Sequence, residues 1–262
     1  MPGDLFGDAV ALRVAHADGR DEVMSFEELS RRSSQIAHYL DDLLIGAEED
    51  SQGGSQSGAA YLVLGPIAGN LDLSTADANI LGETSYEQVG RTVAGLGDMN
   101  GDSYADIIVG ADQNDTTDTN AGAAYLFLGP LSGSMGIGSA DASLYGENAH
   151  DQAGRPVSGA GDVNDDGVTD VLIGAMLDDT TAGSAGAAYL LYGPVTGVVN
   201  LADSDSKITG EAAFDYAGGS LASAGDVDDD GYDDILVGAH GTDGSSGNNT
   251  GAAYLLYGPV TG

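Results

Sequence analysis

The pentapeptide Gly-Ala-Ala-Tyr-Leu occurs four times in this chain, from Gly58, Gly122, Gly186 and Gly251, at spacings of 64, 64 and 65 residues. A repeat of that period constrains the fold more than composition does, because each unit must bury its apolar surface against its neighbours. Two further markers keep the same phase. Three apolar residues precede a Gly-Ala pair at Gly46, Gly110, Gly174 and Gly238, and Gly-Asp opens an acidic stretch at Asp98, Asp162 and Asp226. Each pentapeptide also runs on into Gly-Pro, at Pro66, Pro130, Pro194 and Pro259.

Within a unit, Ile107-Ile108-Val109 and Ala123 to Leu128 are short apolar runs bounded by Gly, Asp, Asn and Pro. Their length and their β-branched and aromatic content predict strands buried on both faces. A third strand is expected around Arg91–Ala94, and a fourth around Ser143–Tyr145 and Lys207–Thr209. Four short strands per unit, each sheet covered on both sides, predict an all-β fold of propeller blades. A β-solenoid is the alternative, but its rungs are usually much shorter than this repeat.

The acidic stretches lie between the first and second strands of three units. They read Asp98-Met-Asn100-Gly-Asp102-Ser-Tyr104-Ala-Asp106, Asp162-Val-Asn164-Asp-Asp166-Gly-Val168-Thr-Asp170 and Asp226-Val-Asp228-Asp-Asp230-Gly-Tyr232-Asp-Asp234. Oxygen side chains at positions 1, 3, 5 and 9 suit a hard cation such as Ca²⁺, and the backbone carbonyl at position 7 (Tyr104, Val168, Tyr232) adds a ligand. Mg²⁺ is less suited, since it prefers six-coordinate geometry and retained waters. No His or Cys enters the loops, which argues against the usual transition metals. Solvated turns are the competing reading, as Asp, Asn and Gly are ordinary turn residues, but three loops in register favour three calcium sites. Without a cation the carboxylates would repel one another and their pKa values would rise. The first loop has Ser103 where the others have Gly at position 6, and its site is expected to be the weakest.

D-x-[DN]-x-D-G-x-x-D, an apolar strand ending in Gly-Ala, and then G-A-A-Y-L-x-x-G-P together resemble the FG-GAP repeat of integrin α-subunit β-propellers and of many bacterial surface and secreted proteins. The resemblance covers about residues 42–262, and Tyr216-Ala217-Gly218 approximates the name-giving segment. It implies Ca²⁺ held in loops on one face of a propeller, a protein or glycan ligand recognised by other loops, and an extracellular or cell-surface location. The calcium affinity suited to such a module is about 10⁻⁴ to 10⁻³ M. Integrin propellers have seven blades, whereas four units stand here, the last ending before a fourth strand. Four blades close by themselves, remain a partial ring, or complete a propeller by self-association.

The first unit departs from the pattern, so the chain divides into an atypical segment over 1–57 and the FG-GAP blades over 58–262. Gly7–Ala11 reads as an innermost strand, and Asp41 to Ala47 matches the second strand. Between them no calcium loop occurs, and no metal site is expected in unit one. Instead Ala9–Ala15 and Glu22–Ser25 read as strands about an Asp18-Gly19 turn. Ser25-Phe-Glu-Glu28 then opens a helix as a capping box. Over about residues 8–44 this strand-strand-helix insertion resembles the N-terminal edge of adenylate-forming enzymes, nonribosomal peptide synthetase adenylation domains among them. It lacks a phosphate loop with a following Lys, so the resemblance implies no activity.

Charge limits the partners. The chain has 42 acidic against 7 basic residues, a formal charge of −35, which disfavours nucleic acid and anionic membrane surfaces. No stretch is apolar enough for a spanning helix and no signal peptide is evident in this chain. Without Cys, disulfides and Cys-ligated zinc are excluded. The four His, at 16, 38, 150 and 240, lack metal-ligand spacing, and His240 reads as a locally bonded loop residue. The acids after the Gly-Ala pairs, Glu48–Asp50, Asp112 to Asp118 and Asp178-Asp179, read as solvated turns. No nucleophile turn is present, so the chain reads as a non-enzymatic calcium-binding module for extracellular adhesion. An accessory propeller of a larger secreted hydrolase, or a fusion with an adenylate-forming enzyme, is the alternative.

Overall fold

The computed structural model describes residues 12–15, 21–24, 42–67, 70, 72–243 and 249–260. The insertion helix and the Gly7–Ala11 strand fall outside these residues. Of the insertion, strands β1 (Leu12–Ala15) and β2 (Asp21–Met24) form an antiparallel hairpin, close to the two expected strands.

The remaining strands form four consecutive blade sheets. Blade one holds β3 (Leu43–Ala47), β4 (Ala59–Val63) and β5 (Ala78–Leu81), so its sheet begins well before the first pentapeptide. Blade two holds β6 (Thr92–Gly97), β7 (Asp106–Ala111) and β8 (Ala123–Phe127). After β8 the chain crosses back as β9 (Gly133–Gly136), which pairs parallel with β5 of the preceding blade, before β10 (Ala142–Tyr145) completes blade two. Blade three repeats this with β11 (Val157–Gly161), β12 (Asp170–Ala175), β13 (Ala187–Leu191), the crossing strand β14 (Gly197–Asn200) on β10, and β15 (Ser206–Thr209). Blade four is three-stranded, with β16 (Ala217–Gly225), β17 (Asp234–Ala239) and β18 (Ala252–Leu256). The fold is thus a β-propeller arc in which each crossing strand fastens one blade to the one before it.

The sequence markers have identifiable causes. The Gly of each Gly-Asp pair (Gly97, Gly161, Gly225) lies at φ 70, 82 and 67°, where the register of the inner strand shifts as it enters the acidic loop. Only Gly takes that conformation without steric cost, and the bulge turns the loop out of the sheet. In the Gly-Ala pairs, a Cβ on Gly46, Gly110 or Gly174 would collide with the carbonyl oxygen of Gly90, Gly154 or Gly218 in the following unit. In the first three units the pentapeptide Tyr packs its ring inside the sheet stack and satisfies its hydroxyl on the loop that precedes its strand. Tyr61 Oη donates to Asp50 at 2.7 Å, Tyr189 Oη donates to Asp178 at 3.1 Å, and Asn114 donates to Tyr125 Oη at 3.1 Å.

The core lies between blades. Along β12, Val171 and Ile173 pack back on blade two, in one cluster with Ile108, Ala124 and Leu126. Leu172 points the other way, in a cluster with Leu190, Ile235 and Val237. A third cluster joins Ala60 and Ile80 of blade one to Ile107, Val109 and Phe127 of blade two. Burying each of these large side chains contributes about 1.5–3 kcal/mol. Three clusters for four blades make an arc: among the described residues, no core cluster joins blade four to blade one.

Candidate metal centre

The three acidic loops leave the inner strands of blades two, three and four at the same end of the arc. Asp162 N–H of the second loop donates to Asp233 of the third at 2.9 Å. Asp98–Gly101 of the first loop and Gly167-Val168 of the second line a common cleft.

Each loop is wound by its own carboxylates. Asp98 accepts from the N–H groups of Gly101, Asp102 and Ser103 at 2.8, 3.0 and 2.8 Å. Asp162 accepts from Asp166 and Gly167 at 3.0 and 2.7 Å, and Asp226 from Asp230 and Gly231 at 3.0 Å each. At position 5, Asp102, Asp166 and Asp230 accept from the N–H of Tyr104, Val168 and Tyr232 at 2.8, 2.9 and 3.0 Å. These side-chain-to-backbone turns set the curl that gathers alternate residues. The curl requires left-handed backbone at both position 4 and position 6: Gly101 and Ser103 (φ 76 and 73°), Asp165 and Gly167 (60 and 86°), Asp229 and Gly231 (63 and 96°). The first loop therefore keeps its glycine at position 4 rather than losing it, and leaves Ser103 in the costlier conformation. Asp at position 4 in the other loops tolerates that region better.

Position 9 has a second task that the motif does not reveal. Asp106, Asp170 and Asp234 have no solvent exposure. In each, one oxygen accepts from the N–H after position 1 (Met99, Val163, Val227, at 2.8, 2.9 and 2.8 Å). The other accepts from the Gly before Pro at the end of the third strand (Gly129, Gly193, Gly258, at 2.8, 2.8 and 2.9 Å). These carboxylates clamp the loop to the blade. Asp42 keeps half the clamp, accepting from Gly65 at 2.9 Å, in the unit whose loop sequence is lost. That retained Asp was the available sign of a structural role. Burial pushes the Asp170 carboxyl up to about 6 against the lowering effect of its two amide partners, with Asp166 and Asp162 adding repulsion.

The donor set fits a hard cation best in the third loop. One carboxylate oxygen from each of Asp226, Asp228 and Asp234 lies within 4.8 Å of the others. Slight desolvation and the charges of Asp230, Asp234 and Asp226 raise the Asp228 carboxyl above its ordinary range, the repulsion that a cation would relieve. In the first and second loops position 3 is Asn, and Asn100 and Asn164 donate to Asp102 and Asp166 at 2.9 Å each. Each clamp oxygen accepts one N–H and retains a lone pair for a metal.

Among the acids at the opposite strand ends, Asp112 and Asp178 are buried rather than solvated, and they and Glu48 meet basic side chains. Lys207 donates to Glu147 and Asp178 at 3.0 and 2.9 Å, and Arg91 pairs with Glu48. Arg155 lies 3.6 Å from the fully buried Asp112, whose carboxyl is raised chiefly by burial. His240 stacks on Tyr216, with ring centroids 4.9 Å apart.

A β-propeller arc with acidic strand-connecting loops is the class of protein that fold and site define. Residues 89–127, 156–191 and 217–256 match the FG-GAP repeat; each span runs from the start of an inner strand through the pentapeptide strand. The chain is 31% identical to human integrin alpha-IIb over 167 residues, 61% of this chain and 15% of the relative. It is 28% identical to chicken integrin alpha-V over 266 aligned residues, 92% of this chain and 24% of the relative. The chain thus carries three FG-GAP repeats in a propeller arc similar to that of integrin α subunits, and it spans about a quarter or less of these relatives' length. No helix among the described residues is long and apolar enough to cross a membrane.

Proposed function

We propose that the chain is a calcium-stabilised propeller module that makes protein or glycan contacts in an extracellular or cell-surface setting, without catalysis of its own. The observation that carries this reading is the convergence of the Asp226, Asp228 and Asp234 oxygens in a loop whose counterparts recur in two more blades. The ligand residues in our reading are the side chains of positions 1, 3, 5 and 9 and the carbonyl of position 7 in each loop. When bound, Ca²⁺ supplies positive charge that neutralises the carboxylates and couples metal binding to folding. This chain's own residues wind the loops and clamp them to the blades. The similarity to integrin α subunits supports an adhesive role, with recognition by loops that do not hold the metal.

Thermal unfolding of the chain in calcium and in EDTA tests the reading. At about ten times the dissociation constant, three sites that bind only the folded state stabilise it by about 4 kcal/mol, since each contributes RT ln(1 + [L]/Kd). The melting temperature should fall by about 8–16 °C on chelation. An unchanged melting temperature would sink the metal assignment.

A further inference from the structure

The second and third acidic loops are joined to each other in a way that the first two are not. Asp233, at position 8 of the third loop, brackets Asp162, the position 1 residue of the second. Its N–H donates to the Asp162 carbonyl oxygen at 2.9 Å, and its carboxylate accepts from the Asp162 N–H at 2.9 Å. Both bonds fall on the backbone of a residue in the second ligand set, while Asp233 itself stands between Tyr232 and Asp234 of the third. Gly161 makes room for this bracket. A Cβ there would overlap the Asp233 carboxylate, whereas at the equivalent bulge glycine of blade two, Gly97, a Cβ would meet nothing within 4 Å. Position 8 is Ala105 in the first loop and Thr169 in the second. No hydrogen bond joins Thr169 to Asp98 among the described residues, and the first two loops face each other across the cleft that Met99, Val168 and Pro194 line.

We propose that Asp233 couples the second and third calcium sites, so that occupancy of either loop raises the affinity of the other, while the first loop binds independently. The coupling rests on the calcium reading above, and Asp233 is a positioning residue in it. When Tyr232 and Asp234 hold a cation, the residue between them is fixed. Its two bonds then carry that order onto both backbone polar groups of Asp162. The second loop binds with less of its ordering still to be lost, which is positive cooperativity through shared order. Linkage makes the effect of the second loop on the third equal in size. Repulsion between two bound dications opposes this. It is screened at about 0.15 M salt, where the Debye length is about 8 Å, and the Asp233 carboxylate adds negative charge at the joint.

Calorimetric calcium titration of the chelated chain tests this in an Asp98→Ala background, which leaves only the second and third sites. Adding Asp226→Ala or Asp162→Ala to that background leaves the second or the third site alone. The two-ion constant of Asp98→Ala should exceed the product of the two single-site constants by about fivefold. With Asp233→Ala throughout, two ions should still bind, but the excess should fall to about twofold or less, the backbone bond remaining. Asp233→Asn, whose amide oxygen still accepts the Asp162 N–H, should keep the excess. A comparison that removes no loop stands beside this: in the otherwise unaltered chain, Asp233→Ala should weaken overall calcium binding severalfold and Asp233→Asn should not. An excess of about one in the Asp98→Ala set would overturn the coupling and leave the calcium sites standing. So would an excess that Asp233→Ala leaves unmoved while it lowers the melting temperature in EDTA, the mark of a merely structural residue. Fewer than two ions bound by Asp98→Ala would overturn the calcium sites themselves, and the coupling with them.

Discussion

Replacing Asp170 by Ala removes a clamp and a position 9 metal ligand together, and chelation separates the two effects. The Asp170 side chain accepts from Val163 N–H at 2.9 Å and Gly193 N–H at 2.8 Å, at a position with no solvent exposure. Alanine leaves both amides buried without an acceptor, at about 1–3 kcal/mol each. Release of a buried charge offsets part of that loss, so the net cost should be about 2–4 kcal/mol, or on the order of 10 °C in melting temperature. This loss should appear in full in EDTA, because it lies in the fold, and calcium should add about 1.4 kcal/mol for the site that loses its position 9 ligand. Asp162→Ala is the control. Its carboxylate accepts only N–H groups of its own loop, so in EDTA the variant should lose about 1 kcal/mol. In calcium it should lose about 1.4 kcal/mol more, the contribution of one site at ten times its dissociation constant. The assay is thermal unfolding of both variants in both buffers. Equal and small losses for the two variants in EDTA would refute the clamp.

Other expectations follow from neighbouring features. Asp151 is buried, and burial first, then the charge of Asp178, pushes its carboxyl up to about 6. The folded state therefore binds the proton more tightly than the unfolded chain between about pH 4 and 6, and stability falls as pH rises through that window. In EDTA, Asp151→Asn should flatten the slope by up to about 3 kcal/mol; parallel pH–stability curves for variant and parent would contradict this. Gly110→Ala drives a Cβ into the Gly154 carbonyl of blade three and should cost at least about 2 kcal/mol in urea unfolding, more than Gly238→Ala, whose Cβ meets first a rotatable Ser220 hydroxyl. Ser103 is held at φ 73°, so Ser103→Gly should stabilise the chain by up to about 1 kcal/mol and tighten calcium at the first loop, read by the melting curve and a calcium titration.

The fold was legible where the period repeats a physical constraint. The bulge glycines, the glycines beneath the next blade and the buried tyrosines recur every 64 residues or so because every blade meets the same neighbours. The crossing strands β9 and β14 were not legible. Gly-Ser-Met-Gly and Gly-Val-Val-Asn are four residues long and unlike each other, and they are strands only because an edge of the preceding blade is there to pair with them. The loops were read as ligand sets from residue type, yet the same Asp residues spend most of their hydrogen bonds on shaping the loop. Position 9 is the clearest case, since Asp106, Asp170 and Asp234, which look like ligands in the motif, also act as clamps in the fold. The left-handed position 4 was hidden because Asp and Gly both satisfy it, and only the backbone shows that Gly101 stands there for Asp165 and Asp229.

Calcium binding to loops in three blades is the central claim, and equilibrium dialysis of the chelated chain against labelled calcium tests it most directly. The account predicts three ions per chain, saturating at about 10⁻⁴ to 10⁻³ M, and two in Asp226→Ala. Fewer than one ion bound at saturation, or a stoichiometry that Asp226→Ala leaves at three, would contradict it.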